Sequence, residues 1–248
     1  MRPHCPVNWR FIIAVCGWGL GLAAPVARAA EPLAVARTNG SLAVSGFDKG
    51  AGLGLDFGLP AQAPEQCWSD DDGLPMLHQR WEKGGIRYHQ TLMLTRLGEG
   101  CPSPSALGEA VLWVRVSGEN LATDYTNATA KLAARLGGQP VPLTLAGGMV
   151  MAHRGGNPEP LAILDLPAGA AAATNGATLE FEGHMPPGTS GAMVLKLPLF
   201  RPLTPEQIER IKFLEYDDEW QRLKKAWARR DTNQPGWFPF RAETSAAK

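Results

Sequence analysis

The first thirty residues lack acidic side chains, and they also lack an apolar run long enough to span a bilayer. Arg2 and Arg10 flank the start of an apolar stretch over residues 11–22, about 12 residues, whereas a transmembrane helix needs roughly 20. Ala27-Arg28-Ala29 follows shortly before the mature chain would begin. This order is typical of a secretory signal peptide, so residues 1–30 are predicted to be removed and the protein is predicted to be periplasmic or secreted.

Cysteine is scarce, with four residues in the chain. Cys5 and Cys16 lie in the predicted signal, which leaves Cys67 and Cys101 in the mature protein. In an oxidising compartment such a pair is predicted to form a disulfide, worth roughly 3–4 kcal/mol on the chain-entropy model. Two unpaired thiols are the alternative, because the sequence does not show whether the two Cα atoms approach each other.

Motifs of several catalytic and binding classes are missing. No serine occurs in Gly-x-Ser-x-Gly, and no glycine-rich stretch carries the Lys-Ser/Thr of a phosphate-binding loop. The mature histidines have neither His-x-His nor His-x-x-x-His spacing, so neither a metal nor a cofactor is expected. The 24 Lys and Arg, less the three arginines of the signal, leave 21 against 24 Asp and Glu, a formal charge of −3. That charge gives no indication of a nucleic-acid partner.

What the chain does have is many short apolar runs separated by its 28 glycines and 21 prolines. Runs of this length without helical periodicity favour a mainly β fold, an antiparallel β-sandwich. Thr38-Asn39-Gly40 indicates a tight hairpin turn. The runs predicted as strands cover residues 33–37, 41–45, 53–57, 74–82, 86–97, 110–119, 129–136, 141–145, 149–153, 161–164, 178–183 and 192–199.

The clearest of these elements is a hairpin around Gly84-Gly85. Counting outward from the turn pairs Glu82 with Arg87, Trp81 with Tyr88, Arg80 with His89, and Leu77 with Leu92. Alternation along the two strands then predicts a core face with Leu77, Trp81, Tyr88 and Leu92. The opposite face carries His78, Arg80, Glu82, Arg87 and His89, and is either a solvated surface or a recognition surface.

After residue 200 the pattern becomes helical. Thr204-Pro205-Glu206-Gln207 is a capping box with proline at the first helical position. Asp217 or Asp218 is expected to cap a second helix, in which Trp220, Leu223 and Trp227 recur at helical spacing. This apolar stripe needs a partner. The candidates are the outer face of the sandwich, a helical-barrel catalytic domain, or another chain.

One set of short segments is scattered over roughly residues 55–230. It comprises Gly73-Leu74-Pro75, Arg80-Trp81-Glu82, Gly85, Arg87-Tyr88, Gln90-Thr91, Val114-Arg115-Val116 with Asn120, and Leu214-Glu215-Tyr216-Asp217 followed by Trp227. Together these segments resemble secreted bacterial proteins of the six-hairpin glycosidase superfamily. The resemblance implies a sandwich of the super-sandwich type with a helical linker, which in that superfamily leads into an (α/α)6 barrel. It also implies a glycosidase-type accessory module or a truncated glycosidase.

Catalysis is expected to lie outside this chain, because the superfamily's catalytic carboxylates belong to the barrel and no residue here matches one. Glycoside hydrolysis needs two facing carboxyl groups, and the acidic cluster Asp70-Asp71-Asp72 is better explained as a solvated turn. Calcium binding by that turn, and zinc binding by His78 with His89, are less favoured alternatives. No catalytic residue is therefore assigned.

Carbohydrate binding is the function that the residues favour, because flat aromatic rings beside planar polar groups suit pyranose rings. The candidates are Trp68, His78, Arg80 and His89, whereas Trp113 is expected in the core. The predicted organisation is a signal peptide at 1–30, a β-sandwich at 31–200, a helical linker at 201–232 and a flexible tail at 233–248. The alternative function is an extracytoplasmic adhesion or assembly protein that binds a partner through Trp220, Leu223 and Trp227.

Overall fold

The protein folds into two packed β-sheets with two helices on the outer face of one of them. A computed structural model describes residues 33–48, 50–70, 74–98, 109–167, 169–229 and 239–243. The predicted signal peptide and Cys101 lie outside the described residues. None of the helices in this described part of the chain is long and apolar enough to cross a membrane.

The described residues form eight strands in each sheet. The first sheet has the spatial order β13 (Ala171–Asn175), β14 (Thr178–Met185), β8 (Thr126–Leu136), β3 (Ala51–Asp56), β2 (Leu42–Asp48), β1 (Ala34–Ala36) and β16 (Phe240–Ala242), and β9 (Gln139–Val141) also pairs with β8. The second has the order β10 (Leu143–Ala146), β11 (Met149–Arg154), β12 (Asn157–Asp165), β15 (Ser190–Pro198), β7 (Ala110–Asn120), β6 (Ile86–Arg96), β5 (Met76–Lys83) and β4 (Gln66–Ser69). The predicted mainly β sandwich is confirmed.

The main core lies between the two sheets. Alternation places one side chain in two on this inner face, as the 2.0-residue period of a strand requires. Leu42 and Leu55 contribute from the first sheet, and Trp81, Leu92 and Val114 from the second. At about 25 cal/mol per Å² of apolar area removed from water, this layer is the main stabilising term of the fold.

The β5–β6 hairpin forms with the register that the sequence predicts. All four predicted pairs are present, and Gly84 and Gly85 make the turn with φ of 61° and 78°, conformations that glycine adopts without strain. The hairpin of β1 and β2 is also present, and there the Asn39 side chain accepts hydrogen bonds from Ser41. Local turn chemistry was therefore sufficient to predict both.

Helices α1 (Pro205–Lys212) and α2 (Tyr216–Ala228) follow the last strand of the second sheet. The predicted capping box is confirmed, since Thr204 Oγ1 accepts from the Gln207 amide and the Gln207 side chain accepts from the Thr204 amide. The predicted cap of α2 is wrong. Asp217 and Asp218 lie in its first turn, where they complement the helix dipole, and the N-cap residue is Glu215.

The helices pack on the outer face of the second sheet and create a second core there. Leu223 is 3% exposed and lies against sheet residues that include Trp113 and Met93, while Trp220 and Trp227 are partly buried at the same surface. Trp113 is buried as predicted, but on this outer face and not between the sheets. The apolar stripe of α2 thus has a partner within its own chain.

A buried lysine ties the helices to the sheet. Lys196 of β15 is fully buried, and its Nζ donates to the carbonyl oxygens of Lys212 at 3.1 Å and Leu214 at 2.6 Å. The same Nζ lies 2.7 Å from Asp165 Oδ2. The ammonium group therefore satisfies carbonyls at the C-terminal end of α1, where a positive charge is also favoured by the helix dipole.

Part of the predicted flexible tail is structured. Phe240–Ala242 form β16, which pairs in parallel with β1, and Phe240 is buried in the main core. These three residues are thus held by backbone pairing with β1 and by the buried Phe240 side chain.

Candidate functional site

The outer face of the second sheet has two halves of different chemistry. Toward the ends of β5, β6 and β7 that carry Met76, Met93 and Trp113 it is apolar and covered by the helices. Toward the β5–β6 turn it is polar and aromatic, and it is this half that forms the candidate site. The predicted residues Trp68, His78, Arg80 and His89 all lie on it, because the cross-strand pairs Trp68–His78 and Arg80–His89 bring them to one side of the sheet.

Three of these side chains form one aromatic stack. The Trp68 ring lies 5.1 Å from the His78 ring at an interplanar angle of 12°, and 5.4 Å from the His89 ring at 14°. The two imidazoles are 5.3 Å apart. Trp68 is 37% exposed, so its indole lies flat over both histidines and remains accessible to solvent.

The two histidines are also held by hydrogen bonds. His78 Nδ1 lies 3.3 Å from His89 Nε2 and 3.2 Å from Thr91 Oγ1. Thr91 is the next residue on the same face of β6. These contacts fix the orientation of both imidazoles under the indole, so the stack is a rigid surface that loses little conformational entropy when a ligand binds.

Burial keeps both histidines neutral near pH 7. Desolvation, with smaller contributions from His78, Arg115 and Arg80, lowers the pKa of His89 from 6.5 to about 4. Burial also lowers the pKa of His78, against a smaller opposing effect of Asp70. Neutral imidazoles can each donate and accept a hydrogen bond, which suits hydroxyl groups.

Because the pKa of His89 is lower in the folded protein than in the unfolded chain, stability should fall as the pH drops from about 6.5 to about 4. In that range the unfolded chain binds a proton that the folded protein excludes. The measurement is urea unfolding at pH 7.5 and at pH 5 for wild type and His89→Gln. The unfolding free energy should change less between the two pH values in the variant than in wild type. The same change in both proteins would contradict the lowered pKa of His89.

A cavity of about 480 Å³ lies beside the stack. It is lined by Trp68, Arg80, His89, Arg115 and Ser117, among others. Arg115 stands on β7, where its guanidinium lies 5.1 Å from the centre of the Tyr216 ring. Burial raises the pKa of Tyr216 to about 12, so its phenol stays protonated. The first turn of α2 thus forms the border between the covered and the open half of this face.

The sequence did not identify Thr91, Arg115, Ser117 and Tyr216 as site residues. Thr91 follows from alternation on β6, since it lies two residues after His89. Arg115 and Ser117 depend on the register between β6 and β7, which places them opposite Thr91 and His89 across a long connection. Tyr216 depends on where the helices dock. Of these four residues, only Thr91 could have been identified from its neighbours in the sequence.

The described residues give little information on the predicted disulfide, on metal binding or on the acidic turn. Cys67 lies on β4 with no disulfide partner among the described residues, and because Cys101 falls outside them the disulfide remains a prediction. Within the described ranges no group of three or more His, Cys, Asp or Glu side chains is placed to hold a metal ion. Of the acidic turn, only Asp70 is described.

Comparison with known proteins gives no family for this chain. No protein-family model matches it, and no curated protein matches it.

Proposed function

We propose that this protein is a periplasmic or secreted, non-catalytic carbohydrate-binding β-sandwich module of a glycoside hydrolase-like system. The observation that carries the proposal is the exposed Trp68 ring lying flat on His78 and His89. The apolar faces of pyranose rings pack on flat aromatic surfaces, and sugar hydroxyls need nearby donors and acceptors. His89, Arg80 and Ser117 are polar groups beside the same cavity.

The resemblance to the six-hairpin glycosidase superfamily supports the same function. Arg80 and Arg115, both in segments that carry the resemblance, lie at this cavity. Other residues of those segments have structural roles: Trp81 and Gln90 donate to the backbone carbonyls of Thr38 and Gly40, which holds the β1–β2 turn against the sheet. An accessory module of this type would use the two arginines to bind a ligand and the structural residues to hold the sandwich together.

The alternative is an adhesion or assembly protein that binds a partner through the C-terminal helices. The packing of α2 gives this alternative less support, because Leu223 is buried against the protein's own sheet. A partner that used Leu223 would have to displace the helix from that sheet.

Replacing Trp68 with alanine should weaken glycan binding at least about tenfold, which corresponds to about 1.4 kcal/mol. The wild-type dissociation constant is expected in the high micromolar to millimolar range, about −4 to −6 kcal/mol, because an open surface buries little ligand. The measurement is isothermal titration calorimetry of the mature protein against a panel of oligosaccharides.

Tyr125→Ala is the matched control. Tyr125 is 64% exposed and also lies on a histidine, with its ring 5.1 Å from that of His184 at 14°, but it lies away from the Trp68 cavity. The control should bind like wild type. Equal binding by wild type and Trp68→Ala would refute the site, and turnover of any oligosaccharide by the wild type would refute the non-catalytic part of the proposal.

A further inference from the structure

Among the side chains that line the cavity beside Trp68, positively charged groups outnumber negatively charged ones. Three arginines line it, Arg80, Arg87 and Arg115, against one carboxylate, that of Glu119. Whether this charge is available to a ligand depends on how each guanidinium is already paired.

Arg87 is fully paired. Its Nε lies 2.8 Å from Glu82 Oε1, and its Nη1 lies 3.0 Å from Glu119 Oε2. Two carboxylates thus pair with this one guanidinium. One of them is Glu119, the acidic side chain that lines the cavity. Arg87 with Glu82 and Glu119 carries a formal charge of −1, so Arg87 offers no positive charge to a ligand.

Arg80 and Arg115 are much less neutralised. Among the described residues Arg80 has no carboxylate partner, and its Nε is buried without a hydrogen bond. Arg115 is 3.9 Å from Asp217 Oδ1, a long contact to a side chain that is 81% exposed. Its other contact is with the face of the Tyr216 ring. The charge of Arg80 is therefore poorly compensated, and an anion bound in the cavity that Arg80 and Arg115 line would compensate it.

The same positive field acts on His89. Arg115 and Arg80 are among the groups that lower its pKa. His78 Nε2 is also buried and has no hydrogen-bond partner in the described part of the chain. Arg80, His89 and Arg115 line one cavity beside the Trp68 ring, where the hydroxyl and acidic groups of a sugar ring would lie.

We infer that the ligand of this site is an anionic glycan, with its pyranose ring on Trp68 and its carboxylate or sulfate group bound by Arg80 and Arg115. This inference rests on the proposed carbohydrate-binding function and specifies its ligand class. The mature chain has a formal charge of −3, so general attraction to polyanions does not account for such binding.

Two matched ligand pairs test the inference. The first is a galacturonate trisaccharide and its fully methyl-esterified form, and the second is a sulfated glucan oligosaccharide and its unsulfated parent. Calorimetry at 0.15 M salt, where the Debye length is about 8 Å, suppresses long-range attraction. The anionic member of at least one pair should bind at least about tenfold more tightly than its neutral partner. The pair that shows this difference identifies the group as a carboxylate or a sulfate.

The arginines are tested by substitution. Arg80→Gln and Arg115→Gln should each weaken binding of the anionic ligand about tenfold, because each removes a charge-assisted contact. Arg80→Lys should retain part of the affinity by keeping the charge. Lys83→Gln is the control, since it removes the same charge from an exposed position at the tip of the same hairpin, and it should bind like wild type. If Arg115→Gln perturbs folding, the binding affinity of Arg80→Gln decides the outcome.

The outcomes separate this inference from the proposed function. Equal binding of the charged and neutral members, lost in Trp68→Ala, would overturn the inference while leaving carbohydrate binding at Trp68 intact. No binding of any glycan would overturn both. Anion binding that survives both Trp68→Ala and Arg80→Gln would be diffuse electrostatic attraction and would also overturn the inference.

Discussion

Replacing Lys196 with methionine is expected to destabilise the protein by about 3 kcal/mol or more, because hydrogen bonds from a charged donor contribute about 1.5–3 kcal/mol each. Methionine nearly preserves the volume and fits an apolar site, so little of this loss would come from packing. The loss would come from the carbonyls of Lys212 and Leu214 and the carboxylate of Asp165, which all lose the ammonium group.

The measurement is the free energy of unfolding in urea at pH 7. Lys212→Met is the control, because Lys212 is 30% exposed and its ion pair in the described part of the chain is with Glu209, three residues earlier in α1. Such a surface pair contributes about 0–1 kcal/mol. Equal unfolding free energies for Lys196→Met and wild type would mean that the lysine does not hold the helices to the sheet.

Replacing Trp113 with alanine is expected to cost about 3–5 kcal/mol, the range for large buried aromatics. Trp113 is fully buried in the second core, with its ring 6.1 Å from that of Tyr216 in an edge-on arrangement. Its Nε1 donates to Thr95 Oγ1 at 2.8 Å. The substitution would leave a cavity under the start of α2.

Trp113→Phe separates the ring from the hydrogen bond, and it should cost less than the alanine variant because most of the apolar area remains. Hydrogen exchange provides a local readout. In Trp113→Ala the amides of α1 and α2 should exchange faster than those of β2 and β3, which pack in the other core. Uniform acceleration across the whole protein would contradict the docking of the helices on this face.

The parts of the fold that the sequence predicted correctly are those set by local chemistry. The Gly84-Gly85 turn fixes the register of β5 and β6, and the period of two fixes their faces, so the polar face with His78, Arg80 and His89 could be derived without the structure. The capping box at Thr204 is equally local.

The elements that were missed have weak local signals. β4 and β13 have exposed side chains throughout, with the sequences QCWS and AAATN, so neither shows an apolar alternation. They become strands because a neighbouring strand offers an edge to pair with. β16 depends on β1, which lies about two hundred residues earlier in the chain.

The candidate site was predicted only in part for the same reason. The hairpin alone supplies His78, Arg80 and His89, but their relation to Trp68 needs the β4–β5 pairing, and their relation to Arg115 needs the β6–β7 register. Neither is fixed by neighbouring residues. The position of Tyr216 depends on the docking of α2 through Leu223 and Trp113, which is set by tertiary packing.

The most direct test of the account is a nuclear magnetic resonance titration of the mature, ¹⁵N-labelled protein with the galacturonate trisaccharide and the sulfated oligosaccharide. The account predicts saturable shifts of the Trp68 indole N–H signal and of the His78 and His89 imidazole signals. The indole signals of Trp81 and Trp113, both fully buried away from the open surface, should stay in place. An unchanged Trp68 signal at saturating concentrations of every glycan tested would contradict the central claim that this aromatic stack binds carbohydrate.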